Sequence, residues 1–248
     1  MRLRESLPLG FPKDPWENLS VPSLDIGEVH LVTFTPDPDL DKDLENRYAE
    51  GLSEDEKARC ENLRHPETRS VFIQSRGRLR SLLGHHLGIA PKDVPLVIGS
   101  HGKPGCPEGS LQFNLSHTKG TVVIALALGC DVGVDAEGGR TLRQREALIR
   151  EVFSPEEQSF FEGLNEAMTQ ERFIRGWTLK EAYVKATGRG IAAGLSRVVL
   201  EENFERFLKV PSGDPEAFQI AEINRGEQNV ALVYRDALRK VLSFHAQC

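Results

Sequence analysis

The chain has 248 residues, enough for one large domain or two small ones, and 39% of them are hydrophobic. This length and composition exclude a disulfide scaffold, a fibrous protein and a mostly disordered chain. The net charge of −6 argues against a general nucleic-acid binder, because such a protein would carry an excess of Lys and Arg.

The first part of the chain is predicted to be an irregular arm followed by a strand and two helices. Residues 1–26 are rich in proline and show little periodicity, and residues 28–34 form a strand. Ser53 has the spacing to a later glutamate that is typical of a capping box, so a helix starts there. Apolar residues recur at helical spacing over residues 66–87, and Gly88 ends this second helix.

The rest of the chain consists of blocks of strands and a block of helices. Strands are predicted at 96–98, 121–128 and 131–137, and we expect the last two to pair as a hairpin. The following predicted elements are helices at 142–152, 154–164 and 169–187 and strands at 195–200, 217–223 and 229–234. This order predicts an α+β fold rather than a regularly alternating α/β fold. The order of predicted strands and helices repeats approximately once, which suggests two similar halves that meet near residues 118–130.

Asp135 and Glu137 form the first candidate site. Residues two apart on a strand face the same side, so these carboxylates point together while Val134 and Ala136 point to the other face. Such a pair repels itself unless a cation lies between the groups or one of them takes up a proton. Oxygen ligands favour Mg²⁺, although a solvent-facing acidic strand end would show the same pattern.

The second candidate lies on the predicted helix 169–187. Trp177, Glu181 and Lys185 are spaced four residues apart and share one helix face. The same glutamate–lysine spacing is also that of an ordinary surface ion pair. If this face meets the acidic strand, Glu181 supplies a third carboxylate and Lys185 reaches a bound phosphate.

The third candidate combines a basic stretch at residues 59–103 with the entrance of the next strand. Lys103 lies between a glycine and a proline, where a loop lysine is held in place to contact an anion. Ser116 and His117 offer a hydroxyl and an imidazole just before the long apolar strand. The alternatives are a solvated basic helix face and a turn histidine that bonds a local carbonyl.

Taken in order, four segments resemble the motifs of the Sfp-type 4′-phosphopantetheinyl transferases. The segments are Gly102-Lys-Pro, Phe113-Asn-Leu-Ser-His, Gly133-Val-Asp-Ala-Glu and Trp177-Thr-Leu-Lys-Glu-Ala-Tyr-Val-Lys-Ala-Thr-Gly-Arg-Gly. Their order and spacings are similar to those of the family, and the resemblance covers residues 50–200. Ala136 departs from the larger aliphatic residue that is usual there, which implies a slightly looser core and no lost function.

The resemblance implies an enzyme that transfers the 4′-phosphopantetheine group of coenzyme A to a serine of an apo carrier protein and releases 3′,5′-ADP. It also implies a pseudo-two-fold pair of similar α+β halves with coenzyme A in the cleft between them. On this basis we predict an irregular arm at 1–26, a half that contacts coenzyme A at 27–120 and a catalytic half at 121–248.

The resemblance further implies roles for particular residues. Mg²⁺ would bind Asp135, Glu137 and Glu181, and Asp135 also belongs to the coenzyme A site. Lys185 would bind phosphate and stabilise the leaving oxygen, while Glu181, or else Glu137, would deprotonate the serine. The residues implied to bind the nucleotide end of coenzyme A are Lys103, Ser116, His117, Arg76, Arg80 and Arg59.

The acceptor could belong to fatty-acid, polyketide or nonribosomal peptide synthesis, and the sequence leaves these open. The resemblance implies a monomer. We expect a cytoplasmic protein, because its cysteines lack C-x-x-C spacing and we find no signal peptide. We expect no binding to membranes, because there is no long apolar run, and none to nucleic acid, because the net charge is negative.

Two other functions were compared with this one. The first is another coenzyme A enzyme, such as an acyltransferase, which would not need three carboxylates. The second is a subunit that binds coenzyme A and carrier proteins but has lost catalysis. The presence of Asp135, Glu137, Glu181 and Lys185 together favours the active transferase.

Overall fold

The computed structural model describes residues 7–10, 21–107, 111–118, 120–138, 143–190, 194–225, 228–235 and 240–247. The helices in this part of the chain are α1 (Lys42–Glu50), α2 (Glu54–Glu61), α3 (Pro66–Leu87), α4 (Arg145–Val152), α5 (Pro155–Gln158) and α6 (Glu166–Thr187). The strands are β1 (Leu7–Gly10), β2 (Glu28–Phe34), β3 (Val97–Ile98), β4 (Pro104–Gly105), β5 (Leu111–Thr118), β6 (Thr121–Leu128), β7 (Val132–Gly138), β8 (Val199–Leu200), β9 (Phe207–Lys209), β10 (Phe218–Arg225), β11 (Gln228–Arg235) and β12 (Lys240–Gln247). None of these helices is long and apolar enough to cross a membrane.

The core of the fold has four layers: helix α3, a five-stranded sheet, a three-stranded sheet and helix α6. The larger sheet has the strand order β1-β12-β2-β6-β5, and the smaller sheet has the order β10-β11-β7. Alternate residues of a strand face opposite sides. Both sets of residues are buried in each sheet, so each sheet has two buried faces. One face of the larger sheet packs on α3 and the other on the smaller sheet, whose far face packs on α6. The architecture is α+β, as predicted.

Local signals place the elements that carry the candidate sites. β2 and α3 have the predicted bounds, and Gly88 ends α3 in the left-handed conformation, with a φ of 69°. The capping box predicted at Ser53 is present. Helix α6 begins at Glu166, earlier than predicted, because the side chain of Asn165 accepts a hydrogen bond from the amide of Met168 and caps the helix.

Several elements differ from the predicted ones in length or were not predicted. The helix predicted at 154–164 is the short α5 followed by a 3-10 turn at Ser159–Phe161, and the strand predicted at 195–200 begins as a 3-10 turn. Helix α1 and strand β12 have no predicted counterpart. β12 pairs in parallel with β1 and β2 from the start of the chain, a pairing that no local pattern indicates.

The predicted hairpin between residues 121–128 and 131–137 is wrong. β6 lies between β2 and β5 in the larger sheet, so both of its edges are already hydrogen-bonded. The chain crosses to the smaller sheet after β6, and β7 pairs antiparallel with β11. Two strands that are neighbours in the sequence therefore lie in different layers, which places β7 against α6.

The predicted division into residues 1–26, 27–120 and 121–248 stays a prediction, and the strand pairing crosses both of its boundaries. β5 and β6 lie on either side of residue 120 and are neighbours in one sheet. β1 comes from the predicted arm and pairs with β12 from the predicted catalytic half. The larger sheet thus joins segments from all three predicted parts.

A buried and a half-buried histidine, His30 and His86, lie between α3 and the larger sheet. His30 of β2 is 0% exposed, and its Nε2 lies 3.6 Å from Oε2 of Glu28, beyond hydrogen-bond distance. Nδ1 of His30 and Nε2 of His86 on α3 have no hydrogen-bond partner among the described residues. The ring centroids of His30 and His86 are 5.9 Å apart, and the ring of Phe244 lies 5.2 Å from that of His30. Burial lowers the pKa of both histidines, that of His86 to about 4, while the nearby Glu28 opposes the effect at His30.

We expect the protein to lose about 1–3 kcal/mol of stability as the pH falls from about 6.5 towards 4. A histidine that is neutral in the fold but protonates near pH 6.5 when unfolded binds more protons in the unfolded state, so acid favours unfolding. His86→Phe should flatten this dependence in thermal melts between pH 4 and 7. The exposed neighbour His85, changed to Gln, should keep the wild-type slope. Identical slopes for wild type and His86→Phe would contradict this account.

Candidate active site

Close packing of α6 on β7 brings two predicted motifs together. A Cβ atom at Gly133 of β7 would lie 2.2 Å from the carbonyl oxygen of Ala182 and 2.2 Å from the amide nitrogen of Ala186. The helix backbone therefore occupies the space that any larger residue would need. The glycine that opens the Gly-Val-Asp-Ala-Glu segment allows this approach, which brings α6 close to the acidic strand.

Lys185, Asp135 and Ser116 form a hydrogen-bonded cluster at this contact. Nζ of Lys185 lies 2.5 Å from Oδ1 of Asp135 and donates to Oγ of Ser116 at 3.1 Å. Ser116 in turn donates to the same carboxylate oxygen at 2.9 Å and accepts from the amide of Ala136 at 3.3 Å. The resemblance implied that Ser116 binds the nucleotide end of coenzyme A, whereas the structure places it beside the acidic strand.

Side chains, rather than a strand ladder, join β5 of the larger sheet to β7 of the smaller one. Asn114, which lies two residues before Ser116 on β5, accepts a hydrogen bond from the amide of Val134 at 2.9 Å. Both polar side chains are buried and point to the same side of β5. Sequence reasoning included Asn114 in a motif but missed this role, in which it satisfies a backbone amide at the edge of β7.

Glu181 lies near this cluster with a buried carboxylate. It is 7% exposed, and neither its Oε1 nor Oδ2 of Asp135 has a hydrogen-bond partner among the described residues. Burial raises the pKa of Glu181, as do the negative charges of Asp135 and Glu137, while Lys185 opposes the shift. A buried carboxylate oxygen without a partner is costly unless a cation or a proton satisfies it. Oε1 of Glu181 and Oδ2 of Asp135 therefore mark a place where a cation or a proton would bind.

The oxygen donors at this place suit Mg²⁺, which prefers carboxylate ligands. Within the described ranges, no group of three or more His, Cys, Asp or Glu side chains is arranged to hold a metal ion. Glu137 is half-buried on the same strand as Asp135, and its charge acts on Glu181. The structure thus brings Asp135 and Glu181 together as candidate ligands and leaves the third predicted ligand close to them.

Lys103 joins the loop before β4 to the ends of β7 and α6. Its Nζ donates to the carbonyl oxygen of Val132 at 3.0 Å and to that of Ala186 at 2.9 Å. Burial lowers the pKa of Lys103, and the nearby Asp131 opposes this shift. A Cβ at Gly188, which ends α6, would lie 3.2 Å from Cδ of Lys103. Lys103, for which the resemblance implied a nucleotide contact, therefore uses two of its N–H groups within the protein.

Arg80, one of the three predicted arginines, lies in the interior. It is 2% exposed, its Nε pairs with Glu56, and its Nη1 donates to the carbonyl oxygens of Pro91 at 2.8 Å and Val94 at 3.1 Å. These bonds hold α2 and the turn at 91–94 against α3. The sequence shows Glu56 only as part of a capping box, so sequence reasoning missed its contact with Arg80.

Arg59 and Arg76 both lie near the ring of Phe72 and nearer the surface than Arg80, and Nε of Arg76 is 3.9 Å from Oε1 of Glu56. Their guanidinium carbons are 5.5 Å and 6.0 Å from the ring centroid. His117 is exposed, and its pKa is lowered by partial desolvation and by the positive charges of Lys185 and Arg76. A basic surface therefore extends from α3, through His117, to the cluster around Lys185.

Comparison with known proteins identifies the family to which this arrangement belongs. Residues 131–241 match the family described as the 4′-phosphopantetheinyl transferase superfamily. The chain is 39% identical to the 4′-phosphopantetheinyl transferase HetI of Nostoc sp. over 186 residues, which are 73% of this chain and 76% of that protein. The chain belongs to the 4′-phosphopantetheinyl transferase superfamily.

Two further relatives of this transferase match shorter parts of the chain. It is 31% identical over 165 residues to the phosphopantetheinyl transferase of Thraustochytrium sp., covering 61% of this chain and 57% of that one. It is 36% identical over 110 residues to the 4′-phosphopantetheinyl transferase AcpT of Escherichia coli, covering 44% and 55%. These matches confirm the predicted enzyme class, whereas the Sfp-type subdivision and the pseudo-two-fold arrangement stay predictions.

Proposed function

We propose that this transferase uses the Lys185–Asp135–Ser116 cluster and the adjacent Glu181 to move the 4′-phosphopantetheine arm of coenzyme A to a carrier-protein serine. Transfer to carrier proteins is the activity of the superfamily, and the residue roles are our proposal. Its main support is the contact of the Lys185 ammonium with Asp135 beside the buried Glu181, where Oδ2 of Asp135 and Oε1 of Glu181 have no hydrogen-bond partner among the described residues. Phosphoryl transfer needs a cation where charge develops and a group that accepts the proton of the nucleophile.

In the proposed reaction, the serine oxygen attacks the phosphorus atom that carries the pantetheine arm. The bond from this phosphorus to the bridging oxygen breaks, and 3′,5′-ADP leaves with that oxygen. Lys185 stabilises the oxygen that gains negative charge. Glu181 accepts the serine proton, because its raised pKa makes it a stronger base than an exposed glutamate. Glu137 is the alternative base.

Mg²⁺ is the proposed cofactor, with Asp135, Glu137 and Glu181 as its ligands. Oδ2 of Asp135 and Oε1 of Glu181, which lack a hydrogen-bond partner in the described ranges, support this assignment. When bound, the ion would neutralise charge on the diphosphate oxygens. One carboxylate cannot fully serve as both ligand and base. Of Glu181 and Glu137, the glutamate that accepts the proton would therefore be the one that binds the metal less tightly.

Coenzyme A is proposed to lie along the basic surface between α3 and the Lys185 cluster. The residues proposed to contact its phosphates are Arg59, Arg76 and His117. The planar fork of arginine suits phosphate oxygens, and these side chains lie at or near the surface. Arg80, Lys103 and Ser116 bond to protein groups and would support the walls of the coenzyme A site.

The proposed acceptor is an apo carrier protein of fatty-acid, polyketide or nonribosomal peptide synthesis, and the proposed state is a cytoplasmic monomer. A mass spectrum of an apo acyl carrier protein incubated with this transferase, coenzyme A and Mg²⁺ tests the activity. We expect a gain of one phosphopantetheinyl group, abolished by EDTA. Peptidyl and polyketide carriers tested in parallel separate a narrow acceptor range from inactivity.

Two results of this experiment would change the proposal. Full transfer in EDTA would contradict the role of Mg²⁺. Failure on all three carriers, with coenzyme A still bound, would support the alternative of a binding subunit without catalysis.

A further inference from the structure

We infer that Lys180 is a positioning residue whose buried ion pair with Glu157 sets the rotation of α6 that directs Glu181 and Lys185 towards β7. This inference rests on the catalytic roles proposed above for Glu181 and Lys185. Lys180 stands in the same sequence motif as those two residues but faces a different part of the molecule.

The ammonium group of Lys180 is enclosed by fixed partners. Both Lys180 and Glu157 have 0% exposed side chains, and Nζ lies 2.6 Å from Oε2 of the glutamate. Nζ also donates to the carbonyl oxygens of Val152 at 3.0 Å and Leu195 at 3.4 Å, and lies 4.6 Å from the ring centroid of Phe153. A lysine enclosed in this way cannot reach coenzyme A or a carrier protein.

Glu157 is itself held by backbone amides on two segments. Its Oε1 accepts from the amide of Leu200 at 2.9 Å, and its Oε2 accepts from the amide of Ser154 at 2.8 Å. The ion pair therefore connects α6 both to the start of α5 and to β8. Successive residues of an α-helix point about 100° apart, so a fixed direction for Lys180 also fixes the direction of Glu181.

An ion pair is not needed to fill this space. Lys180 and Glu157 lie beside an apolar cluster of α6 and its neighbours that includes Phe153, Leu179 and Val198. Replacing a buried ion pair by apolar residues is often neutral or stabilising, because both charges lose their hydration in the fold. What the pair adds is direction, since its hydrogen bonds form at one rotation of the helix and apolar contacts tolerate several.

Lys180→Met tests this role. We expect kcat to fall about 10- to 100-fold, because small misplacements of catalytic groups have effects of this size. The KM for coenzyme A, and its affinity measured by calorimetry, should stay within about threefold of wild type. Lys209→Met is the matched control, because it breaks the exposed Lys209–Glu156 pair of 3.4 Å and should leave kcat unchanged.

The double variant Lys180→Met/Glu157→Leu separates positioning from stability. It leaves no unpaired charge, so its melting temperature should return towards that of wild type while kcat stays low. Recovery of kcat together with stability would overturn the inference, as would full kcat in folded Lys180→Met. If Lys180→Met does not fold, Glu157→Gln and the double variant provide the same comparison. Full transfer by Glu181→Gln would instead refute the catalytic roles themselves.

Discussion

Replacing Glu181 by Gln should lower kcat for phosphopantetheine transfer by about 10²- to 10⁴-fold while coenzyme A still binds. The amide keeps the size of the side chain but can neither accept the serine proton nor act as an anionic metal ligand. The carboxylate is 7% exposed and its Oε1 has no partner in the described part of the chain, so its loss should leave the local packing intact. Initial rates from mass spectrometry and binding by calorimetry measure the two effects separately.

Glu171→Gln is the matched control for this substitution. Glu171 lies on the same helix but is exposed, so its variant should keep the wild-type kcat. Asp135→Asn should also reduce transfer strongly, because it removes the charge that pairs with Lys185 at 2.5 Å. A kcat within about threefold of wild type for Glu181→Gln would refute its assignment as base and as metal ligand.

Gly133→Ala should destabilise the fold by about 3 kcal/mol or more and abolish transfer. The added methyl group would overlap backbone atoms of Ala182 and Ala186 at 2.2 Å, and backbone atoms cannot rotate out of the way. α6 would have to move off β7, which separates Lys185 from Asp135. Urea unfolding measures the loss of stability, and the mass spectrometric assay measures the loss of activity.

Gly105→Ala provides the comparison for Gly133→Ala. A Cβ at Gly105 on β4 would meet no atom within 4 Å, so the change in stability should stay within about 0.5 kcal/mol. If Gly133→Ala unfolded at the same urea concentration as Gly105→Ala, α6 would not be held as close to β7 as the structure shows.

Much of the candidate site follows from patterns that act over a few residues. Strand alternation predicts that Asp135 and Glu137 share a face, and helical spacing predicts the same for Glu181 and Lys185. The structure brings Asp135, Glu181 and Lys185 together where these faces meet. The order of four motifs was enough to indicate the superfamily, which the comparisons confirm.

The sequence could not tell which basic side chains face the site and which lie in the interior. Arg76 and Arg80 are one helical turn apart and both lie near Glu56, yet only Arg80 also donates to two backbone carbonyls and is buried, while the side chain of Arg76 is 20% exposed. Lys180 and Lys185 belong to one motif, yet one pairs with Glu157 in the interior and the other with Asp135. In each case the carboxylate that pairs with the basic side chain lies between 23 and 50 residues away along the chain.

The sequence by itself determined the ends of β2 and α3 and the α+β class, because caps, glycine stops and hydrophobic periodicity depend on near neighbours. It also indicated the family, because each of the four motifs is a short continuous segment. Only the tertiary structure decided that β7 leaves β6 for the smaller sheet and that β12 returns to pair with β2. Strand edges are backbone groups that pair with whichever strand packing brings alongside them. The same packing decides whether a charge is buried or exposed, so the division between site and interior becomes visible only in the folded chain.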